Sequence, residues 1–97
     1  MPSLRTLALF TFAALTASAA GKTPFKITVQ LDWVAEPEHG GFYQAEARGF
    51  FRAEGLDVTL IPGGPGAHVM ASVATGKADI AQADTVGTFQ QQAEGLP

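Results

Sequence analysis

Asp32, Trp33, Glu36, Glu38, His39 and Tyr43 crowd into one stretch, LDWVAEPEHGGFY at residues 31–43. An indole can stack on a flat ring and donate one hydrogen bond, so Trp33 either faces a ligand or covers the end of a sheet. Asp32 either accepts a hydrogen bond from a ligand donor or caps the turn that follows it. His39 either offers one ring nitrogen to a ligand or joins a helix cap. The acid and imidazole groups invite a metal reading, but adjacent loop side chains are not expected to converge, and no second histidine or cysteine set completes a coordination sphere. No metal is therefore expected. Capping is the expected role for the glutamates, because the helix dipole stabilises negative charge at a first turn by about 0.3–1 kcal/mol. Gly40 and Gly41 would let a ligand or strand approach the free N–H groups of the helix start.

Elsewhere the chemistry is thinner. Asp84 and Thr85 form either a cap or a second ligand contact, and His68 is too isolated to argue as catalytic. Ser72 lies within a helical pattern without nucleophile-elbow glycines, and no pair of carboxylates can be assigned to acid and base. The stretch PGGPGAH at 62–68 lacks both the Lys-Ser/Thr of a phosphate loop and the dinucleotide glycine spacing, so it reads as a flexible pocket wall. No cofactor is expected, and binding is favoured over catalysis.

The elements that must position these groups follow from periodicity. Residues 25–32 alternate, with Phe25, Ile27, Val29 and Leu31 on one face, which predicts a strand. Helical spacing runs from 39 or 40 to about 51, with Gly49 marking where the helix ends or tightens before Phe50 and Phe51 pack down. Residues 56–61 alternate again and stop at PGGPG. Residues 67–75 predict a helix capped by Gly76, residues 77–84 a third strand, and residues 85–93 a helix begun by Asp84 or Thr85. The order βαβαβα implies an α/β fold with a parallel sheet, because the crossovers must be right-handed. With strand order 2-1-3, a crevice opens at the carboxyl ends of strands 1 and 3, where both Asp32 and Asp84 fall.

Composition limits the function classes. Residues 1–20 carry Arg5, an apolar run from Leu7 to Leu15 and the small residues Ala17, Ser18 and Ala19, the pattern of a cleaved secretory signal peptide. The run is shorter than the roughly 20 residues a membrane span needs. The expected mature protein, residues 21–97, is thus periplasmic or otherwise extracytoplasmic. The chain has no cysteine, which excludes a disulfide scaffold, a thiolate metal site and a cysteine nucleophile. Net charge is −3, and without Arg5 five cations face nine carboxylates. With no basic stripe, nucleic acid is not an expected partner. A chain this short buries only about 60% of its unfolded surface, and the sequence reads as the first part of a longer one.

The motifs LDW, His39, Gly41 and Tyr43, GFF at 49–51, GLDV at 55–58, PGG at 62–64 and GKADIAQAD at 76–84 together resemble the SsuA/THI5-like family, in particular its NMT1/THI5 group. Glutamates stand at 36 and 38 where the group's loop carries asparagine or a small acid. The resemblance, from about residue 26 to 93, implies the first part of lobe one of a two-lobed periplasmic-binding-protein fold. It implies a solute-binding component of an ABC importer, with a small-molecule ligand such as a thiamine pyrimidine precursor and an inner-membrane permease as partner. The candidate ligand-binding set is Asp32, Trp33, Glu36, His39, Tyr43 and Asp84. The family also implies alternatives: an alkanesulfonate, taurine or nitrate receptor, and a pyrimidine synthase that consumes its own histidine beside a cysteine-bearing iron site. A sensor domain is a further alternative. With half of such a ligand cage absent, weak ligand binding and an exposed apolar sheet edge are expected of this chain alone.

Overall fold

The computed structural model describes residues 21–96. The expected leader, residues 1–20, lies outside them. Three parallel strands form one sheet in the order β2-β1-β3, with β1 at Phe25–Gln30, β2 at Leu56–Ile61 and β3 at Ile80–Ala81. Helices α1 (Gly40–Ala47) and α2 (Phe50–Ala53) lie between β1 and β2, α3 (Val69–Ala74) between β2 and β3, and α4 (Thr85–Ala93) after β3. No helix among the described residues is long and apolar enough to cross a membrane.

The alternation in β1 and β2 works as a two-faced pattern. Ile27 pairs with Val58 and Val29 with Leu60, which puts these apolar side chains on one face. Phe42 of α1 and Phe51 of α2 lie against that face beside Ile27, Val29 and Val58. The opposite face carries Gln30 and Ile61 and receives α3, whose Ser72 hydroxyl donates to Gln30 Oε1 at 3.4 Å. The two crossovers thus cover opposite faces, as the 2-1-3 order requires.

The glycine at 49 separates α1 from α2. Its φ of 72° lies in the left-handed region that side chains with a Cβ rarely adopt, so the helix breaks there and restarts. Phe50 does not pack down as expected: it is 54% exposed, and the Arg48 guanidinium sits 5.6 Å from its ring centroid. Only Phe51 turns toward the sheet.

The third strand is far shorter than the 77–84 the sequence suggests. Asp79 takes over one rung of the ladder with its side chain: its N–H donates to Thr28 O at 2.9 Å while its Oδ2 accepts from Thr28 N at 2.7 Å. Gln82 N then donates to Gln30 O, and the chain leaves the sheet toward α4. Buried hydrophobic residues among those described are Val29, Leu31 and Ala78, so the core gathers at the carboxyl end of β1.

Candidate functional site

Beyond β1 the backbone passes through Leu31, fully buried, to Asp32 at the rim. Two devices hold this end. Gln30 is 4% exposed, and its Nε2 lies within 3.0–3.4 Å of the carbonyls of Leu31, Ile61 and Pro62, tying the ends of β1 and β2 together. Gly63 packs directly on the Leu31 and Asp32 carbonyls, where any Cβ would collide, and its N–H donates to Trp33 O at 2.9 Å. The start of the PGGPG loop is therefore a tight backbone contact at Gly63, while Pro62, Gly66, Ala67 and His68 line clefts, as expected of a pocket wall.

The loop after Trp33 folds back through a single 3-10 turn, Pro37–His39, with His39 N donating to Glu36 O at 2.9 Å. That turn carries the His39 ring beneath the strand end, where it is 0% exposed and its Nε2 stands 2.9 Å from Asp32 Oδ1. Glu38 Oε1 is 3.7 Å from the same nitrogen. Asp32, Glu38 and His39 thus offer atoms within 4.8 Å of one another, which overturns the expectation that side chains of this loop stay apart. These are the residues that could approach a cation, but an ionised carboxylate only accepts, so Nε2 carries a proton toward Asp32 in this arrangement.

The glutamates do not cap. Neither the 3-10 turn, with Glu36 at its N-cap, nor α1 has a side-chain capping bond, and both glutamates are exposed. A backbone already turning through Pro37 satisfies its first donors by the 3-10 pattern instead. Gly40 and Gly41 meet nothing within 4 Å of an added Cβ, so no close approach depends on them here.

Asp32 and Asp84 line one open cleft of about 420 Å³ together with His68, Met70, Gln91 and neighbouring residues of α3 and its lead-in. The carboxyl ends of β1 and β3 thus converge as the strand order demands. Asp84 caps α4, its Oδ1 accepting from Gly87 N at 2.7 Å. Among the described residues, no lysine or arginine lines the cleft. Of the remaining candidates, Trp33 stands 43% exposed outside this lining, Tyr43 is half-buried on α1 and outside it too, and Glu36 is exposed on the loop. His68 lies in the stretch read as a pocket wall and does line the cleft, whereas sequence reasoning misses Met70 and Gln91 as lining residues.

Comparison with known proteins adds a family to this geometry. The family model described as NMT1/THI5 like matches residues 36–97. The chain belongs to the NMT1/THI5-like family. A Haemophilus influenzae protein named for thiamine biosynthesis is 36% identical over 72 residues, covering 74% of this chain and 23% of that protein. Named 4-amino-5-hydroxymethyl-2-methylpyrimidine phosphate synthase, relatives in Uromyces fabae and Candida albicans are 33% and 35% identical over 72 residues, again 74% of this chain and 21% of theirs. The chain thus spans about a quarter or less of the length of the curated relatives it matches. No solved structure gives a significant match.

Proposed function

We propose that this chain supplies the first part of the ligand-binding lobe of an extracytoplasmic solute-binding protein, which takes up a thiamine pyrimidine precursor or a related amino-substituted heterocycle for an ABC permease. The observation that carries the reading is the pairing of Asp32 and Asp84 in one cleft whose lining, among the described residues, holds no lysine or arginine. Carboxylates accept hydrogen bonds from ring amino groups and repel phosphate or sulfonate. The acidic lining also disfavours the sulfonate, taurine and nitrate alternatives, which need anion donors. Residues 1–20, read as a secretory leader, support export, and the thiamine names of the relatives support the ligand class. In this reading Asp32 and Asp84 accept from the ligand, Trp33 and Tyr43 contribute once a second lobe closes, and Glu36 lies at the mouth.

Calorimetric titration of the full-length natural protein tests this. The unphosphorylated 4-amino-5-hydroxymethyl-2-methylpyrimidine should bind at least tenfold more tightly than its phosphate, a difference of about 1.4 kcal/mol. Preference for the phosphate, or no response to either, would sink the reading.

The synthase reading is favoured by one observation, the names of the fungal relatives. It predicts pyrimidine phosphate formed stoichiometrically from the protein, with one histidine lost from the chain by mass spectrometry. An intact chain after incubation would leave the binding role.

A further inference from the structure

Resting on the reading of the cleft above, we infer that His39 is a positioning residue for Asp32 that sets which carboxylate oxygen meets the ligand, and so makes the cleft selective for hydrogen-bond donors. His39 is 0% exposed and cannot touch a ligand in this arrangement. Its Nε2 donates to Asp32 Oδ1 at 2.9 Å, while among the described residues no protein donor reaches Asp32 Oδ2. The Asp32 side chain is 39% exposed and lines the cleft, so the unengaged oxygen is the one left for a ligand. One carboxylate is thereby divided between a fixed internal bond and an outward acceptor.

The other ring nitrogen makes this more than a packing role. Nδ1 of His39 is buried and, among the described residues, has no hydrogen-bond partner, a costly state for a polar atom. A leucine or methionine would fill that space without an orphaned nitrogen. What the imidazole adds is the Nε2–H aimed at Asp32, and the 3-10 turn at Pro37–His39 holds the ring where that bond forms. Exposed Glu38, 3.7 Å from Nε2, is the alternative acceptor that Asp32 outcompetes at 2.9 Å.

The test uses the full-length natural protein and two probes, 4-amino-5-hydroxymethyl-2-methylpyrimidine and the same ring with hydrogen in place of the amino group. His39→Leu should lose affinity for the amino compound roughly 10-fold, as expected for a charged hydrogen bond set free, and leave the deaminated ring nearly unchanged. His39→Gln, whose amide nitrogen reaches the Nε2 position, should restore most of the discrimination, whereas the shorter His39→Asn should not. Asp32→Asn should match His39→Leu, and the double variant should add little to either. Equal losses for both probes, additive effects, or unchanged affinity in His39→Leu would overturn the inference while wild-type binding stands. If His39→Leu does not fold, the Gln and Asn pair decides by the same discrimination. A wild-type protein that binds neither probe overturns the reading of the cleft itself, and this inference with it.

Discussion

The carboxyl end of the sheet and its apolar side face are built from the same two long strands, yet they are finished differently. At the end, every turn is tied by the chain's own groups: Gln30 to three carbonyls, Gly63 to Trp33, His39 to Asp32, Asp84 to Gly87. On the side face, Ile27, Val29, Val58, Phe42, Phe51 and Ile80 border an open apolar groove of about 380 Å³, and Ile80 remains 50% exposed. Directional bonds can be completed locally by a few residues, whereas apolar burial needs area. The site end is therefore specified by this chain alone, and the face is not.

The sharpest way to break that contrast is at Gly63. A Cβ there would land on the backbone of Leu31 and Asp32, which cannot retreat without opening the β1–β2 end. Gly63→Ala should cost about 3 kcal/mol or more, read as a loss of cooperative urea unfolding or a large fall in its midpoint. Gly41→Ala, where an added Cβ meets nothing within 4 Å, is the matched control and should be neutral or slightly stabilising. A harmless Gly63→Ala would mean that the two strand ends are not held as described.

Next in size is Gln30→Leu. It is nearly isosteric and keeps the volume, but strips the donor from three carbonyls at a site only 4% exposed. Ile61 O still accepts from Leu31 N, so the expected cost is about 1–3 kcal/mol, from the Leu31 and Pro62 carbonyls that lose the amide donor. Thermal unfolding monitored by circular dichroism checks it, and a stabilised variant would show that apolar packing, not hydrogen bonding, dominates this end as well.

The same residues separate what is legible in the sequence from what is not. Strict alternation identifies β2 to the residue, and the βαβαβα succession makes the strands parallel; the order β2-β1-β3 is less legible, because right-handed crossovers also allow 1-2-3 and the choice rests on distant contacts. Asp84 is legible as an N-cap because capping is a local geometry, the side chain reaching only three residues ahead. His39 is not: inside the polar run AEPEH nothing in composition signals a fully buried ring, and only the 3-10 turn brings it under Asp32. Gly63 escapes for a similar reason, as its constraint comes from a strand end more than thirty residues earlier. The shortness of β3 depends on Asp79 replacing a backbone rung with its carboxylate, a substitution that alternation cannot reveal.

The smallest expected effect is the most informative about the open face. Ile80 pairs with Val29 in the sheet, but half of it meets solvent, so Ile80→Thr keeps the β-branch, removes little buried area and retains strand propensity. Chemical denaturation of the 97-residue chain should show a change within about 0.5 kcal/mol, as for an exposed position. A cost above about 1 kcal/mol would mean that something covers the groove in solution. Its dependence on protein concentration would then separate the two sources of cover, because a second copy of the chain stabilises by mass action and a segment of the same chain does not. In either case the distinction between a locally finished end and an unfinished face would shift from the chain to its assembly, leaving the bonds around Asp32 as the part that this sequence completes by itself.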